Sequence, residues 1–206
     1  MLVTDRRDRH DERRGVTVTV DAARRAPAPA ATALAAVLLL GAGVAVALGV
    51  YARAHSAAGR PLFTLGFSGM LQMKTWLATA AVALLLVQLV TALWMWGRLP
   101  GAGAAPAWAA GAHRGSGAAA FVLTLPPAFH CLWALGLGTG STRVVVHGLA
   151  GCAFYGAYAA KMLGLRVSGL PGRAIPWIGA AVLTSLVAVW LTSAVWFFTR
   201  SGLPLT

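Results

Sequence analysis

Five long apolar stretches divide the chain, with short polar or glycine-rich connections between them. They run approximately over residues 31–52, 75–97, 117–138, 142–165 and 174–198. Each is close to the roughly 20 residues that a helix rising about 1.5 Å per residue needs to cross a bilayer's hydrocarbon core. The pattern therefore predicts an all-α integral membrane bundle of five transmembrane helices over residues 31–200.

The two ends of the chain differ from this body. Residues 1–30 mix Arg with Asp and finish in an Ala-Pro run, which predicts a disordered cytoplasmic tail, and residues 201–206 form a short C-terminal tail. The first apolar stretch has an alternative interpretation as a cleaved signal, because Ala52 and Ala54 are small residues of the kind found at cleavage sites. Since that stretch is longer than a signal's apolar region, we favour an uncleaved first helix.

Two connections have distinct compositions. Residues 98–116 are rich in Gly, Ala and Pro, which predicts a flexible segment. Residues 53–74 are more apolar, and they are expected either to lie along the membrane surface or to fold over the bundle as a lid. Residues 138–141 form a tight turn, which predicts that the third and fourth helices are antiparallel neighbours.

Charge narrows the possible functions. The chain is 58% hydrophobic and 11% charged, with 17 Lys+Arg against 5 Asp+Glu and a net charge of +12. All five acidic residues lie in the first 21 positions. The apolar body therefore lacks the side chains for an acidic catalytic pair, a Ser-His-Asp triad, a di-iron carboxylate site or a carboxylate proton relay. No nucleic-acid fold signature accompanies the dispersed basic residues, so the basicity indicates topology and contact with the lipid bilayer.

The distribution of basic residues also predicts orientation. With the N-terminus in the cytoplasm, seven basic residues of the tail and five at helix ends make twelve inside, against five outside. The excess of inside positive charge predicts a multi-pass protein of the cell (plasma) membrane with the N-terminus cytoplasmic and the C-terminus outside.

Two histidines, His130 and His147, fall within predicted spans. The midpoint between them lies in the turn over residues 138–141, so each imidazole is roughly 13 Å from the bend at helical rise. Two imidazoles at one depth on neighbouring helices suit non-covalent, bis-histidine ligation of a haem b iron. The alternative is that the histidines bond to each other or to a neighbouring helix.

Residues around His147 fit a porphyrin. Arg143 lies one turn before it, near the outer surface, where it is expected to pair with a haem propionate. Gly151 keeps the helix slim, and Phe154 is expected to pack on the ring. These positions complete a predicted haem site near the outer side of the membrane.

The other histidines and the cysteines fit this site less well. His113 is roughly 25 Å along its helix from His130, so it cannot share the same iron. It is expected either to contact a quinone or a haem propionate, or to be an ordinary helix-start residue. His55 belongs to the possible lid, or is an exposed loop residue. Cys131 and Cys152 lie at different depths, which predicts small apolar packing residues rather than a disulfide.

Three segments carry a family resemblance: HRGSG (113–117), LPPAFHCLWALG (125–136) and TRVVVHGLAGCAFYGAYAAKML (142–163). They resemble small integral membrane b-type cytochromes of the cytochrome b561 and ferric-reductase-like type. The resemblance covers the third and fourth helices, and it implies haem b held between histidines of different helices. Two-haem members of that type have two layers of histidines, whereas this chain offers one. The whole chain also resembles an uncharacterised family of actinobacterial membrane proteins, which implies no activity.

The leading hypothesis is an electron-transfer protein or oxidoreductase subunit with one haem b, exchanging electrons between a quinol and an extracytoplasmic partner. No FAD or NAD(P)H motif is present, so a reductase partner would be a separate redox protein. The alternative is a non-redox membrane anchor or accessory subunit without a cofactor, whose small residues only pack helices. A transporter or channel is a third class, but the intramembrane charges and broken helices typical of that class are absent.

Overall fold

A computed structural model describes residues 30–202, and every regular element in that range is helical. The helices are α1 (Ala30–Ala54), α2 (Met70–Met95), α3 (Ala107–His130), α4 (Thr142–Gly164), α5 (Ala174–Trp190) and the short α6 (Trp196–Ser201). A π-helical turn at Cys131–Leu135 prolongs α3, and a second at Leu191–Val195 joins α5 to α6. Residues 1–29 and 203–206, which hold most of the two predicted tails, lie outside the described residues.

The all-helical prediction is confirmed for the described residues. Four helical rods are long and apolar enough to cross a membrane, namely Ala30–Ala54, Met70–Met95, Ala107–Leu135 and Ala174–Ser201. Large apolar side chains on these rods point outward, for example Leu39, which is 72% exposed. Such apolar surface is typical of contact with lipid. The chain is therefore a multi-pass membrane protein.

Helix α3 begins ten residues earlier than hydropathy predicted, at Ala107 rather than at 117. Pro106 precedes it in an extended conformation, and the Ala-rich run that follows forms helix readily although it is less apolar than the span. Much of the connection that was predicted to be flexible is therefore helical. Helix α2 likewise begins earlier than predicted, at Met70 rather than at 75. Hydropathy marks the part of a helix that suits hydrocarbon, and the ends of the helix extend beyond that part.

The closest helix pairs are α2 with α3, α1 with α4, and α4 with α5. Helices α3 and α4 meet instead through long side chains. The ring of Phe121 stacks on Tyr158 with centroids 4.1 Å apart, and the Tyr155 hydroxyl lies 3.0 Å from the carbonyl oxygen of Thr124. These side chains space the two helices apart, and near the turn over residues 138–141 the space is a cavity.

Away from this turn, α1 and α4 touch through their backbones. A Cβ atom added to Gly41 would lie 2.6 Å from the carbonyl oxygen of Gly156 and 2.8 Å from the Cβ of Ala160. Val37, Ala160 and Ile178 form a buried cluster beside this contact. We call this region the closed half, in contrast to the open half around the cavity.

The segment between α1 and α2 folds over the end of α3, so the lid alternative is the one observed. The N–H groups of Ala58 and Gly59 donate to the carbonyl oxygens of Trp133 and Ala134 at 3.2 and 2.9 Å. The Phe63 ring packs edge-on against His130, with centroids 4.6 Å apart. This segment therefore covers the π-helical end of α3.

Candidate functional site

A cavity of about 400 Å³ lies in the open half, and all five long helices contribute to its wall. Its size falls within the range of ordinary ligand pockets, about 300–1,000 Å³. Most of the wall is apolar. The lining residues that carry polar or sulfur-containing groups are Lys74, Thr75, Thr124, Cys131, Arg143, His147, Cys152, Tyr155 and Ser193.

His147 is oriented by a threonine on α5's π-helical turn. Its Nδ1 lies 3.1 Å from the Oγ1 of Thr192, whose hydroxyl already donates to the carbonyl oxygen of Ala188 at 2.7 Å. Thr192 must therefore accept from His147, which places the hydrogen on Nδ1 and the lone pair on Nε2. That Nε2 lies 3.7 Å from the sulfur of Cys131, at the cavity wall.

The same π-helical turn holds Arg143. The N–H of Trp196 bonds to the carbonyl of Ser193, and the Thr192 carbonyl accepts instead from Nη1 of Arg143 at 2.7 Å. The guanidinium carbon lies 3.8 Å from the centroid of the Trp196 ring, a cation-π contact. One irregular turn of α5 thus positions both of the polar side chains that α4 directs into the open half.

His130 is fully buried, at 0% exposure. Its Nδ1 donates to the carbonyl oxygen of Pro126 at 2.9 Å, so Nε2 carries the lone pair. Among the described residues this Nε2 has no hydrogen-bond partner. Its ring contacts Phe63 and Phe129, and His130 is not among the residues that line the cavity.

The two predicted iron ligands therefore differ in their placement. The nitrogens of His147 lie against Thr192 and Cys131, and neither histidine is hydrogen-bonded to the other. Cys131, the residue after His130, is the one that faces His147 on α4. Successive residues of an α-helix are about 100° apart around the axis, so His130 points in a different direction. Matching depth predicted the position along the helix axis but not the rotation about it.

Three further predicted cofactor contacts, Arg143, Gly151 and Phe154, do line the cavity. Beyond the adjacent backbone of its own helix, no atom of the described residues lies within 4 Å of the place where a Cβ of Gly151 would stand. Phe154 is buried in the core cluster with Leu85 and Leu186. The residues predicted on α4 thus share one cavity wall.

His113 lies in the other half of the bundle, outside the cavity. Its Nδ1 is 3.0 Å from the Oγ1 of Thr91, and its carbonyl oxygen accepts from the side chain of Gln88. Gln88 also donates to the Oγ of Ser116 at 2.8 Å. These bonds link α2 to α3, and they give His113 a structural role outside the cavity.

A family model described as a family of unknown function (DUF6529) matches residues 33–205. The chain belongs to this family. The DUF6529 match spans all five long helices and supplies no activity. No curated protein and no solved structure matches the chain. The likeness to cytochrome b561 proteins stays a resemblance carried by the sequence segments alone.

Sequence reasoning missed three residues of this DUF6529 site: Lys74, Cys131 and Thr192. Lys74 was counted only as a loop charge, yet it is 9% exposed, lines the cavity and interacts electrostatically with Cys131. Cys131 was expected to be a passive packing residue. A polar residue in an apolar span was the available signal for Thr192, and a lysine without any acidic neighbour was the signal for Lys74.

Clusters of three or more His, Cys, Asp or Glu that could hold a metal ion are not found among the described residues. The metal-ligating groups of the open half are thus the Nε2 atoms of the histidines and the sulfurs of Cys131 and Cys152, singly or in pairs. Haem iron needs only one or two such ligands.

Proposed function

We propose that this chain is an electron-transfer protein of the membrane that binds one haem b. The proposal rests on one observation. His130 and His147 commit the Nδ1 hydrogen to the Pro126 carbonyl and to the Thr192 hydroxyl, which leaves both Nε2 atoms unprotonated. Nε2 of His130 has no partner among the described residues, and that of His147 faces the Cys131 sulfur at 3.7 Å. This arrangement is typical of metal-ligating histidines, in which a hydrogen bond from the second nitrogen fixes the tautomer and the ring orientation.

Other features of the open half support the fit. The cavity has a largely apolar wall, and Gly151 leaves open space beside His147. Arg143 supplies a fixed positive charge for a propionate, and Phe154 closes the wall. When bound, haem supplies one-electron chemistry at its iron. The protein's residues hold the ring, fix the imidazole tautomers and exclude water.

The support for the two ligands is unequal. His147 is placed at the cavity directly, whereas His130 contributes an unpartnered Nε2 beside Phe63. Ligation by both histidines would require the space beside His130 to be continuous with the cavity. The two ligands are therefore tested separately below.

The proposal includes five membrane spans, with α4 crossing between α1 and α5. Helix α4 is 23 residues long, enough to cross at about 1.5 Å per residue. With a cytoplasmic N-terminus in the plasma membrane, the open half faces outward. The residues that would hold the haem would thus place its one-electron chemistry between a quinol and an extracytoplasmic redox protein.

The test is a reduced-minus-oxidised absorption spectrum of the detergent-purified protein, expressed with adequate haem, together with haem quantified per chain. We expect a low-spin b-type spectrum that is lost in His130→Ala and His147→Ala and retained in His113→Ala. His113 is the matched control, because its Nδ1 has a similar threonine partner but it lies outside the cavity.

Because His130 is fully buried, its variant is also examined by gel filtration and by adding imidazole to His130→Gly and His147→Gly. Recovery of the spectrum with imidazole would separate lost ligation from misfolding. A spectrum lost only with His147 would restrict the proposal to one histidine ligand. A colourless, haem-replete wild type would overturn the proposal and favour a membrane anchor without a cofactor.

A further inference from the structure

Lys74 is a buried cation in an apolar environment. It is 9% exposed and stands near the start of α2, where it lines the cavity. The described residues contain no Asp or Glu, because all five acidic residues lie in the first 21 positions.

A desolvated ammonium group without a counter-charge is strongly unfavourable. No Asp or Glu among the described residues pairs with Lys74, whose neighbour is the sulfur group of Cys131, in charge and hydrogen-bond contact with it. Arg143 adds a second positive charge to the same cavity wall. A negatively charged group of the cavity's occupant would therefore remove an energetic cost that the protein alone leaves in place.

The side chains in the rest of the wall indicate the chemistry of the rest of the occupant. It consists mainly of Leu, Val, Ala and aromatic side chains, so the occupant is apolar apart from its charged end. A two-chain phospholipid has a far larger apolar volume than this cavity, whereas a single-chain or flat-ring molecule matches it better. Among single-chain and flat-ring amphiphiles the common charged end is a carboxylate, and it forms short charge-assisted hydrogen bonds with an ammonium group.

We propose that the cavity is a binding site for an amphiphilic carboxylate, with Lys74 as the anchor of its charged group. This chemistry has two sources, the propionate of a haem and the carboxylate of a free fatty acid. The inference depends on charge and burial, and it holds whether or not an iron is ligated by the histidines.

The first experiment uses haem-free full-length protein in phosphatidylcholine nanodiscs, with laurate and dodecanol as probes of equal chain length. Calorimetric titration should show laurate binding at least tenfold tighter than dodecanol. Lys74→Met should abolish that difference. Lys161→Met is the matched control, since Lys161 is also a partly buried lysine of the bundle but does not line the cavity, and it should bind both probes as the wild type does.

Thermal unfolding of the same samples guards against misfolding. Laurate should raise the Tm of the wild type and of Lys161→Met but leave that of Lys74→Met unchanged. The ligand-free Lys74→Met protein should melt no lower than the wild type, because the substitution removes an uncompensated charge. Equal affinity for laurate and dodecanol, or wild-type laurate binding by Lys74→Met, would overturn the inference.

Parallel measurements of haem binding distinguish a haem propionate from a fatty-acid carboxylate. His147→Ala should lose the haem spectrum while still binding laurate, and Lys74→Met should lose both laurate binding and most of the bound haem. A wild type that binds laurate but never haem would support the fatty-acid source and overturn only the haem proposal. A haem-binding protein whose occupancy is unaffected by Lys74→Met would overturn the anchoring role of Lys74.

Discussion

Helix α4 carries two glycines, five residues apart, whose surroundings are opposite. A Cβ on Gly156 would lie 2.6 Å from the carbonyl oxygen of Gly41 and 2.9 Å from the Cβ of Ala45. Beyond the adjacent backbone of its own helix, a Cβ on Gly151 would meet no atom of the described residues within 4 Å. In the closed half, glycine allows two helices to touch, and in the open half it enlarges a cavity.

The two halves also differ in how polar groups are satisfied. In the half around His113, side chains of α2 and α3 bond to each other directly, through Gln88 and Thr91. In the open half, and within the part of the chain that the structure describes, Nε2 of His130 has no hydrogen-bond partner and no Asp or Glu lies beside Lys74. An interior that leaves such groups unpaired is typical of a binding site, whereas an interior that pairs them is typical of a scaffold.

Of the substitutions that test the difference between the two halves, Gly156→Ala is expected to have the largest effect on stability. The added methyl group meets backbone atoms of α1 that cannot move aside cheaply, so the free energy of unfolding should fall by about 1–3 kcal/mol. SDS titration in mixed micelles measures this quantity. Wild-type stability in Gly156→Ala would contradict the close contact of α1 with α4.

A smaller effect is expected from Thr192→Val in the open half. The substitution keeps the shape but removes the acceptor for the Nδ1 hydrogen of His147, at a cost of about 1 kcal/mol. Nitrogen NMR of labelled histidine should show that His147 no longer favours the Nδ1–H tautomer. Ser193→Ala is the control, because Ser193 lies on the same turn and its hydroxyl donates to the carbonyl oxygen of Val189 instead of contacting His147. An unchanged tautomer in Thr192→Val would show that something else orients the imidazole.

The smallest effect, with the opposite sign, is expected from Gly151→Ala. The methyl group enters open space, and alanine favours a helix over glycine by about 0.8–1.0 kcal/mol, so unfolding should become slightly harder. The same SDS titration gives a direct comparison with Gly156→Ala. A loss of stability at both glycines would mean that the open half closes in the membrane.

The sequence predicted the five helical rods well, because apolar length and the spacing of turns are visible along the chain. It placed the start of α3 too late, since Ala107 to Ser116 is helical without being strongly apolar. For the site, it identified Arg143, His147, Gly151 and Phe154, which share the cavity wall. These four lie on one regular helix, where 3.6-residue spacing specifies which residues share a face.

Residues on the irregular turns were beyond that reasoning. Thr192 and Cys131 reach His147 from two π-helical turns, and hydropathy contains no sign of either turn. A π-helical turn holds more residues than an α-helical turn, so it shifts the direction of the side chains that follow it. Cys131 and Thr192 stand at the first and second positions of their turns, so their contacts with His147 follow from how the helices pack, which periodicity along the sequence does not register.

By itself, the sequence determined that the chain forms membrane-crossing helices, because an apolar stretch in hydrocarbon must satisfy its backbone hydrogen bonds internally. It also determined that the predicted helices themselves offer a buried cation no Asp or Glu, since these residues end at position 21. Only the tertiary structure decided that Lys74 is that cation, and that Cys131 rather than His130 faces His147. Depth in a membrane follows from helical rise and can be counted, whereas rotation about the helix axis depends on how helices pack.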